Sequence, residues 1–319
     1  MAGIAACRPM ERDQRHTSHA RSAVVAFARE QRLPESFEVG FFDWYAGAVA
    51  HFAKRVEASN GALLVGVSGC QGSGKSTLAK AMAEVATSAY GVPAIALSLD
   101  DFYLTRAARR ILAERVHPLF GTRGVPGTHD LELLAETLGQ LAECHDGVAL
   151  PAFDKARDDR TGMVHWRQVG APVRLIFLEG WCVGIPPQAE AELDQPVNEI
   201  EAEWDPDQVW RREVNRQLAG GYSALFETLD ALLFLRAPSF NAVFEWRWEQ
   251  ERKLSDALRA ARRDAVDTTM SREQVADFVL HYQRLTEHAL STLAKRSDVV
   301  WALQRDRSVR QMQMMAVAA

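Results

Sequence analysis

Between Gly69 and Ser76 the chain reads Gly-Cys-Gln-Gly-Ser-Gly-Lys-Ser, a full match to G-x-x-x-x-G-K-[ST], and no other stretch constrains the fold as strongly. Such a loop works only when a strand delivers it and a helix leaves it. Both neighbours are present: Leu63 to Ser68 is a short apolar run, and Lys75 to Ala86 is rich in Ala, Leu and Met. Ala94 to Leu99 supplies a second strand and completes a β-α-β unit. The glycines allow a tight turn whose N–H groups converge on phosphate oxygens, and the helix N-terminus adds partial positive charge. Lys75 is placed for the β- and γ-phosphates and the Ser76 hydroxyl for Mg²⁺. Gly69, Cys70, Gln71, Gly72, Ser73, Gly74, Lys75, Ser76 and Thr77 are therefore expected to hold the phosphates of ATP.

Further along, Arg174 to Glu179, Ala231 to Arg236 and Asp298 to Leu303 are apolar runs of strand length. Helical patterns cover Leu131 to Glu143, Ala242 to Arg263 and Ser271 to Leu293. Strands alternating with helices predict an α/β fold: a P-loop three-layer α/β/α core with a mostly parallel sheet. Ahead of it, Ala23 to Ala58 has helical spacing broken at Pro34, so residues 1–60 read as an N-terminal helical extension packed on the core. Its first 21 residues are polar and mixed in charge, which predicts disorder. His117 to His129, dense in Gly and Pro, and Gly184 to Trp210, dense in Pro, Asp and Glu, read as long surface insertions.

The chain has 319 residues, 47% hydrophobic and 25% charged, with a net charge of −5, which argues against a broad basic face for nucleic acid. No apolar run reaches the roughly 20 residues that span a bilayer, and the N-terminus lacks a secretory core, so a cytoplasmic protein is expected. Cys7, Cys70, Cys144 and Cys182 are scattered, and the nine histidines are dispersed, which speaks against disulfides and transition-metal sites. Cys70, beside Lys75 at a helix N-terminus, has two features that favour a thiolate, set against a plain reading as an inert spacer.

A P-loop alone does not separate kinases from GTPases or ATP-driven machines. The N-K-x-D element of guanine-specific proteins and the L-S-G-G-Q sequence of ABC transporters are both absent. Ser98-Leu99-Asp100-Asp101-Phe102-Tyr103 ends the second strand, at the edge where parallel sheets bind ligands. A carboxylate there could take the proton from an attacking hydroxyl, or it could merely cap the next helix.

These residues carry a resemblance. The P-loop followed by Leu99-Asp100-Asp101-Phe102-Tyr103 is similar to the phosphoribulokinase, uridine kinase and pantothenate kinase group of P-loop kinases. More narrowly, Arg123-Gly124-Val125-Pro126-Gly127-Thr128-His129-Asp130, Phe153-Asp154-Lys155-Ala156-Arg157-Asp158-Asp159-Arg160 and Leu178-Glu179-Gly180-Trp181-Cys182 resemble D-glycerate 3-kinase and its relatives. So does Trp246-Arg247 followed by Gln250-Glu251 and Lys253-Leu254, and the likeness runs from about Leu63 to about Arg307. It implies an ATP- and Mg²⁺-dependent kinase domain over residues 61–310. Substrate-binding insertions are then expected at about 105–165 and 184–215, a helical lid at about 238–265, and a C-terminal tail from 311.

The resemblance further implies Asp100 as catalytic base, Asp101 as a neighbour that holds Mg²⁺ through water, and Glu179 as the acid that orders the metal. A small anionic acceptor such as D-glycerate needs a cation for its carboxylate, for which Arg123 and Arg160 are the candidates. His129, Asp130 and Asp154 are candidates for the hydroxyls, and Tyr103 for closing the pocket. Among the arginines of the lid, Arg247 is the one expected to meet the transferring phosphoryl group. Another acceptor (a nucleoside, pantothenate or other metabolite) and a non-catalytic nucleotide-binding regulator are the alternative functions. Oligomeric state has no signature in the sequence.

Overall fold

The computed structural model describes residues 14–143, 147–170, 172–261 and 269–314. The chain opens with helices α1 (Gln14–Glu30), α2 (Glu35–Gly40) and α3 (Ala46–Glu57), with a π-helical turn between the last two. Pro34 stands at the N-cap of α2, where its missing N–H costs nothing. The disorder expected up to residue 21 does not hold from Gln14 onward, because α1 buries Ala20, Val24 and Phe27 in the core. Polar composition hid that stripe, which only helical spacing gathers onto one face.

β1 (Leu63–Gly69), α4 (Lys75–Tyr90) and β2 (Ala94–Ser98) form the expected β-α-β unit, followed by α5 (Arg106–Arg115) and α6 (Leu131–Ala142). Four short strands come next: β3 (Val148–Leu150), β4 (Phe153–Asp154), β5 (Asp159–Arg160) and β6 (Arg167–Val169), with β4–β5 nested inside the β3–β6 pair. Then follow β7 (Leu175–Gly180), α7 (Glu199–Trp204), α8 (Val209–Gln217), α9 (Ser223–Phe226) and β8 (Ala231–Arg236). Two long helices, α10 (Phe240–Ala261) and α11 (Arg272–Thr292), lead to β9 (Val299–Leu303) and β10 (Val309–Met314).

The main sheet has the order β10-β9-β8-β1-β7-β2, parallel except for β10. Its strands are covered on both faces, and alternation sorts their side chains: Leu175 and Phe177 join one core with α1, α3 and α4, while Ile176 and Leu178 join the other with α6, α8 and α11. This is the three-layer α/β/α arrangement of the P-loop kinases. Among the described residues, no helix is long and apolar enough to cross a membrane.

Two expectations need correction. The intervals His117–His129 and Gly184–Trp210 are not surface loops throughout. The first buries Phe120, Val125, Thr128 and His129, and the second buries Ile185, Leu193, Glu201 and Asp205. Density in Gly and Pro reports turning, not exposure. The strand β10 carries no apolar run, lies at the exposed sheet edge, and extends into the segment set aside as a tail from 311.

Candidate active site

The register of the sheet brings three strand ends level. Ser68 of β1 lies opposite Gly180 of β7, and Ser98 of β2 lies opposite Glu179. The phosphate loop, Glu179 and the Leu99–Phe102 turn that carries Asp100 and Asp101 therefore meet at one edge of the sheet. In the loop, Gly72 and Gly74 have φ of +76° and +88°, which only glycine adopts without strain. A Cβ on Gly72 would stand 2.5 Å from Cβ of Trp246 in α10, so the helix rests directly on the loop. Arg307 Nε donates to the Gly72 carbonyl at 2.7 Å, its guanidinium lies 5.4 Å over the Trp246 ring, and it pairs with Glu249 at 2.8 Å.

The hydroxyls of Ser68 and Ser73 are buried here without a protein partner, as donors kept for a ligand would be. Trp246 also lines a cavity of about 350 Å³ with Asn241, Ala242, Glu245 and Arg305. Of these five, sequence reasoning marks Trp246 alone, as part of a motif and without a role; the others come from the start of α10 and the β9–β10 turn, where no motif lies.

Ser76 Oγ donates to Glu179 Oε1 at 2.7 Å, and Lys75 Nζ lies 3.9 Å from Oε2 of the same buried carboxylate. Across from them Asp100 accepts the Tyr103 hydroxyl at 2.9 Å and Lys155 Nζ at 2.7 Å. Burial alone would raise the Asp100 carboxyl, but the charges of Lys155 and Lys75 outweigh it and hold the group well below the usual carboxylate range. Asp101 is shifted the other way. Burial raises its carboxyl, and the charges of Asp100 and Glu179 add to the rise, against a hydrogen bond from Phe153 N–H at 3.3 Å and the charge of Lys155. Neither acid caps α5, a duty that Thr105 performs by accepting Ala108 N–H at 3.2 Å.

The candidate acceptor residues divide. Tyr103 stacks on His129 with centroids 4.5 Å apart, and His129 Nδ1 meets the Tyr222 hydroxyl at 2.6 Å. That hydroxyl also accepts Gly127 N–H, and the direction of its bond to Nδ1 follows the tautomer of the ring. Burial pushes the His129 pKa down to about 4, which keeps the ring neutral, and Nε2 is buried without a partner. Arg160 and Asp130 are joined at 2.9 Å; Arg160 also donates to the Tyr103 carbonyl, and Asp130 caps α6 through Leu133 N–H. Arg123 is paired with Asp158, which in turn holds the buried Arg109 at 2.9 Å. Asp154 spends one carboxylate oxygen on the N–H groups of Ala156 and Arg157 in its own turn.

Arg247 does not touch the loop. Its guanidinium pairs with Glu251 at 2.6 Å and lies over Phe278 of α11, while Trp246 beside it makes the loop contact. Arg262 and Arg263 lie outside the described residues, as does the side chain of Arg259. Cys70 follows the inert-spacer reading rather than the thiolate one. Its side chain joins the core under the loop, and burial pushes the thiol up to about 12 despite Lys75. Cys7 and Cys144 lie outside the described residues. Lys155, which meets Asp100, sits inside the Phe153–Arg160 motif, where its spacing alone marks no role.

No family model matches the chain. Over 241 residues it is 33% identical to an uncharacterised kinase of Schizosaccharomyces pombe, covering 73% of this chain and 83% of that protein. The chloroplastic D-glycerate 3-kinase of Arabidopsis thaliana is 31% identical over 240 residues, 72% of this chain and 48% of that longer protein. Among solved structures, the D-glycerate 3-kinase of Cryptococcus neoformans has a TM-score of 0.69 at 24% identity, covering 85% of this chain and 97% of that one. That likeness shows the fold.

Proposed function

From the premise that the chain belongs to the family of ATP-dependent P-loop kinases that includes D-glycerate 3-kinase, we propose that it phosphorylates the 3-hydroxyl of D-glycerate, giving 3-phosphoglycerate. The observation that carries this reading is Asp100. It is an ionised carboxylate at the ligand edge of the sheet, facing the phosphate loop across Glu179 and ringed by Tyr103, His129 and Lys155.

In this reading the loop amides and Lys75 hold the triphosphate with its γ-phosphorus toward Asp100. The acceptor hydroxyl oxygen bonds to that phosphorus, the bond to the β-bridging oxygen breaks to release ADP, and the hydroxyl proton passes to Asp100. His129 Nε2 is a buried, unpartnered ring nitrogen available to a hydroxyl of the acceptor. The cavity bounded by Trp246 and Arg305 is the place for the adenine base. Helix α10 acts as the lid, and Arg247 reaches the phosphoryl group only by leaving Glu251.

Ser76 Oγ and the Glu179 carboxylate would hold Mg²⁺, since they are hard oxygen donors side by side, the kind this ion takes in small number beside phosphates. When bound, the ion would neutralise charge building on the β- and γ-phosphates. The test is a panel of acceptors in an assay coupled to ADP release. D-Glycerate is expected to give the highest kcat/KM, and preference for a nucleoside or pantothenate would replace the acceptor named here.

A further inference from the structure

We propose that Lys155, rather than either arginine of the neighbouring motifs, is the residue that reads the negative charge of the acceptor. The inference rests on the reading above, that the acceptor is a small hydroxy acid. A carboxylate entering this site needs a cation that is both near Asp100 and free to turn toward it. Arg160 is only 14% exposed and spends its fork on the Asp130 carboxylate and the Tyr103 carbonyl. Arg123 is held by Asp158 and by the Phe153 ring 5.5 Å away, and Asp158 is itself anchored to the buried Arg109. Moving Arg160 strands the Asp130 carboxylate that caps α6, and moving Arg123 gives up both its Asp158 partner and its place over the Phe153 ring. Lys75 lies against Glu179 within the phosphate loop.

Lys155 differs from all three. Its side chain is 60% exposed, its ammonium is a compact donor on a flexible stem, and its Nζ touches Asp100 Oδ2 at 2.7 Å. The ammonium end is in contact with solvent, so Lys155 can swing from one carboxylate partner to another without leaving a packed core. The exchange also has a geometric consequence. Asp100 now accepts from Tyr103 on one oxygen and from Lys155 on the other. When the acceptor carboxylate draws Lys155 away, the oxygen it leaves is the one that the acceptor hydroxyl can take. In a three-carbon hydroxy acid, the carboxylate is separated from the primary-alcohol carbon by two carbon–carbon bonds, so a cation that touches the base is within reach of it. A single residue thereby couples recognition of the acid to release of the base.

The test compares two acceptors that present the same primary alcohol, D-glycerate with a carboxylate and glycerol without one. Any effect of Lys155 exerted through Asp100 acts on both acceptors and cancels in the ratio of their kcat/KM values. Lys155→Met is expected to lower the preference for D-glycerate over glycerol at least tenfold, mainly through KM for D-glycerate, and Lys155→Arg to restore most of it. Lys155→Met with a preference within twofold of the wild-type ratio would overturn the assignment, as would equal losses on both acceptors. Failure of the functional reading looks different: the wild-type protein would then turn over no hydroxy acid at all.

Discussion

Asp100 and Asp101 are adjacent in sequence, yet their surroundings push their carboxyl groups in opposite directions, in keeping with the different roles proposed for them. Asp100 faces Lys155, Lys75 and the Tyr103 hydroxyl; Asp101 is more affected by burial and by the neighbouring acids Asp100 and Glu179, which outweigh the Phe153 amide and the charge of Lys155. Asp100→Asn keeps the shape but cannot take a proton, so kcat is expected to fall by about 10²- to 10⁴-fold, or about 3–5 kcal/mol of barrier, with ATP affinity nearly unchanged. Asp101→Asn is expected to cost less, and equal losses in steady-state kinetics would make both acids metal partners instead. His129 supplies a pH-dependent signature of its own. Its ring is packed between Tyr103 and Tyr222, with Asp100 the facing charge, and burial lowers its pKa from 6.5 to about 4. The unfolded chain then binds a proton that the folded chain refuses between those two values, so stability is lost as pH falls through that window. The loss is on the order of 3 kcal/mol, and urea melts of His129→Gln at pH 7 and pH 4.5 should show most of that difference gone. At this scale the motif residues were legible. The partner of each was not, since spacing says nothing of which cation reaches which acid: Lys155 is 55 residues from Asp100.

Among the elements, the contact between α10 and the phosphate loop is the one that would tie the proposed lid to the nucleotide. Gly72 is required there twice over, by its positive φ and by the 2.5 Å that a Cβ would leave to Trp246. Gly72→Ala must therefore lift α10 off the loop or distort the loop itself. The expected result is a tenfold or greater rise in KM for ATP, while the melting temperature, set by the two cores, moves by only a few degrees. Unchanged KM for ATP would mean that the helix is not part of the nucleotide site. Elements with strong periodicity could be read in advance: β1, β7 and β8 as apolar runs, and α11 from its spacing. Two kinds of element could not. β10 is an exposed edge strand whose alternation is too weakly apolar to register, and the turns around Gly124 and Gly127 fold inward because Phe120 and Val125 pull them into the core.

At the level of the whole molecule, the N-terminal helices complete, beside α4, the cover over one face of the sheet. Val24, Phe41, Val49 and Phe52 share a core with Val65, Val67 and Phe177 of the central strands and with Trp301 of β9. Phe52 meets Phe177 edge-on at 6.3 Å, Tyr45 meets Trp301 at 4.9 Å, and Trp301 Nε1 donates to the Trp44 carbonyl at 3.0 Å. A parallel sheet must be covered on both faces, and bare strands of this kind are apolar enough to associate. The segment that sequence analysis set apart as an extension thus supplies part of one layer of the kinase core. A chain that begins at Gly61 keeps every residue of the proposed active site but uncovers Phe177 and Trp301. It is expected to accumulate as insoluble or aggregated protein, with no cooperative melt and no ATP binding. Phe52→Ala is the milder version: it opens a cavity against Phe177 and should cost about 3–5 kcal/mol in a denaturant titration while leaving KM values intact. A soluble, monomeric, ATP-binding chain starting at Gly61 would show instead that α4 closes that face of the sheet unaided, and that α1 to α3 are an appendage.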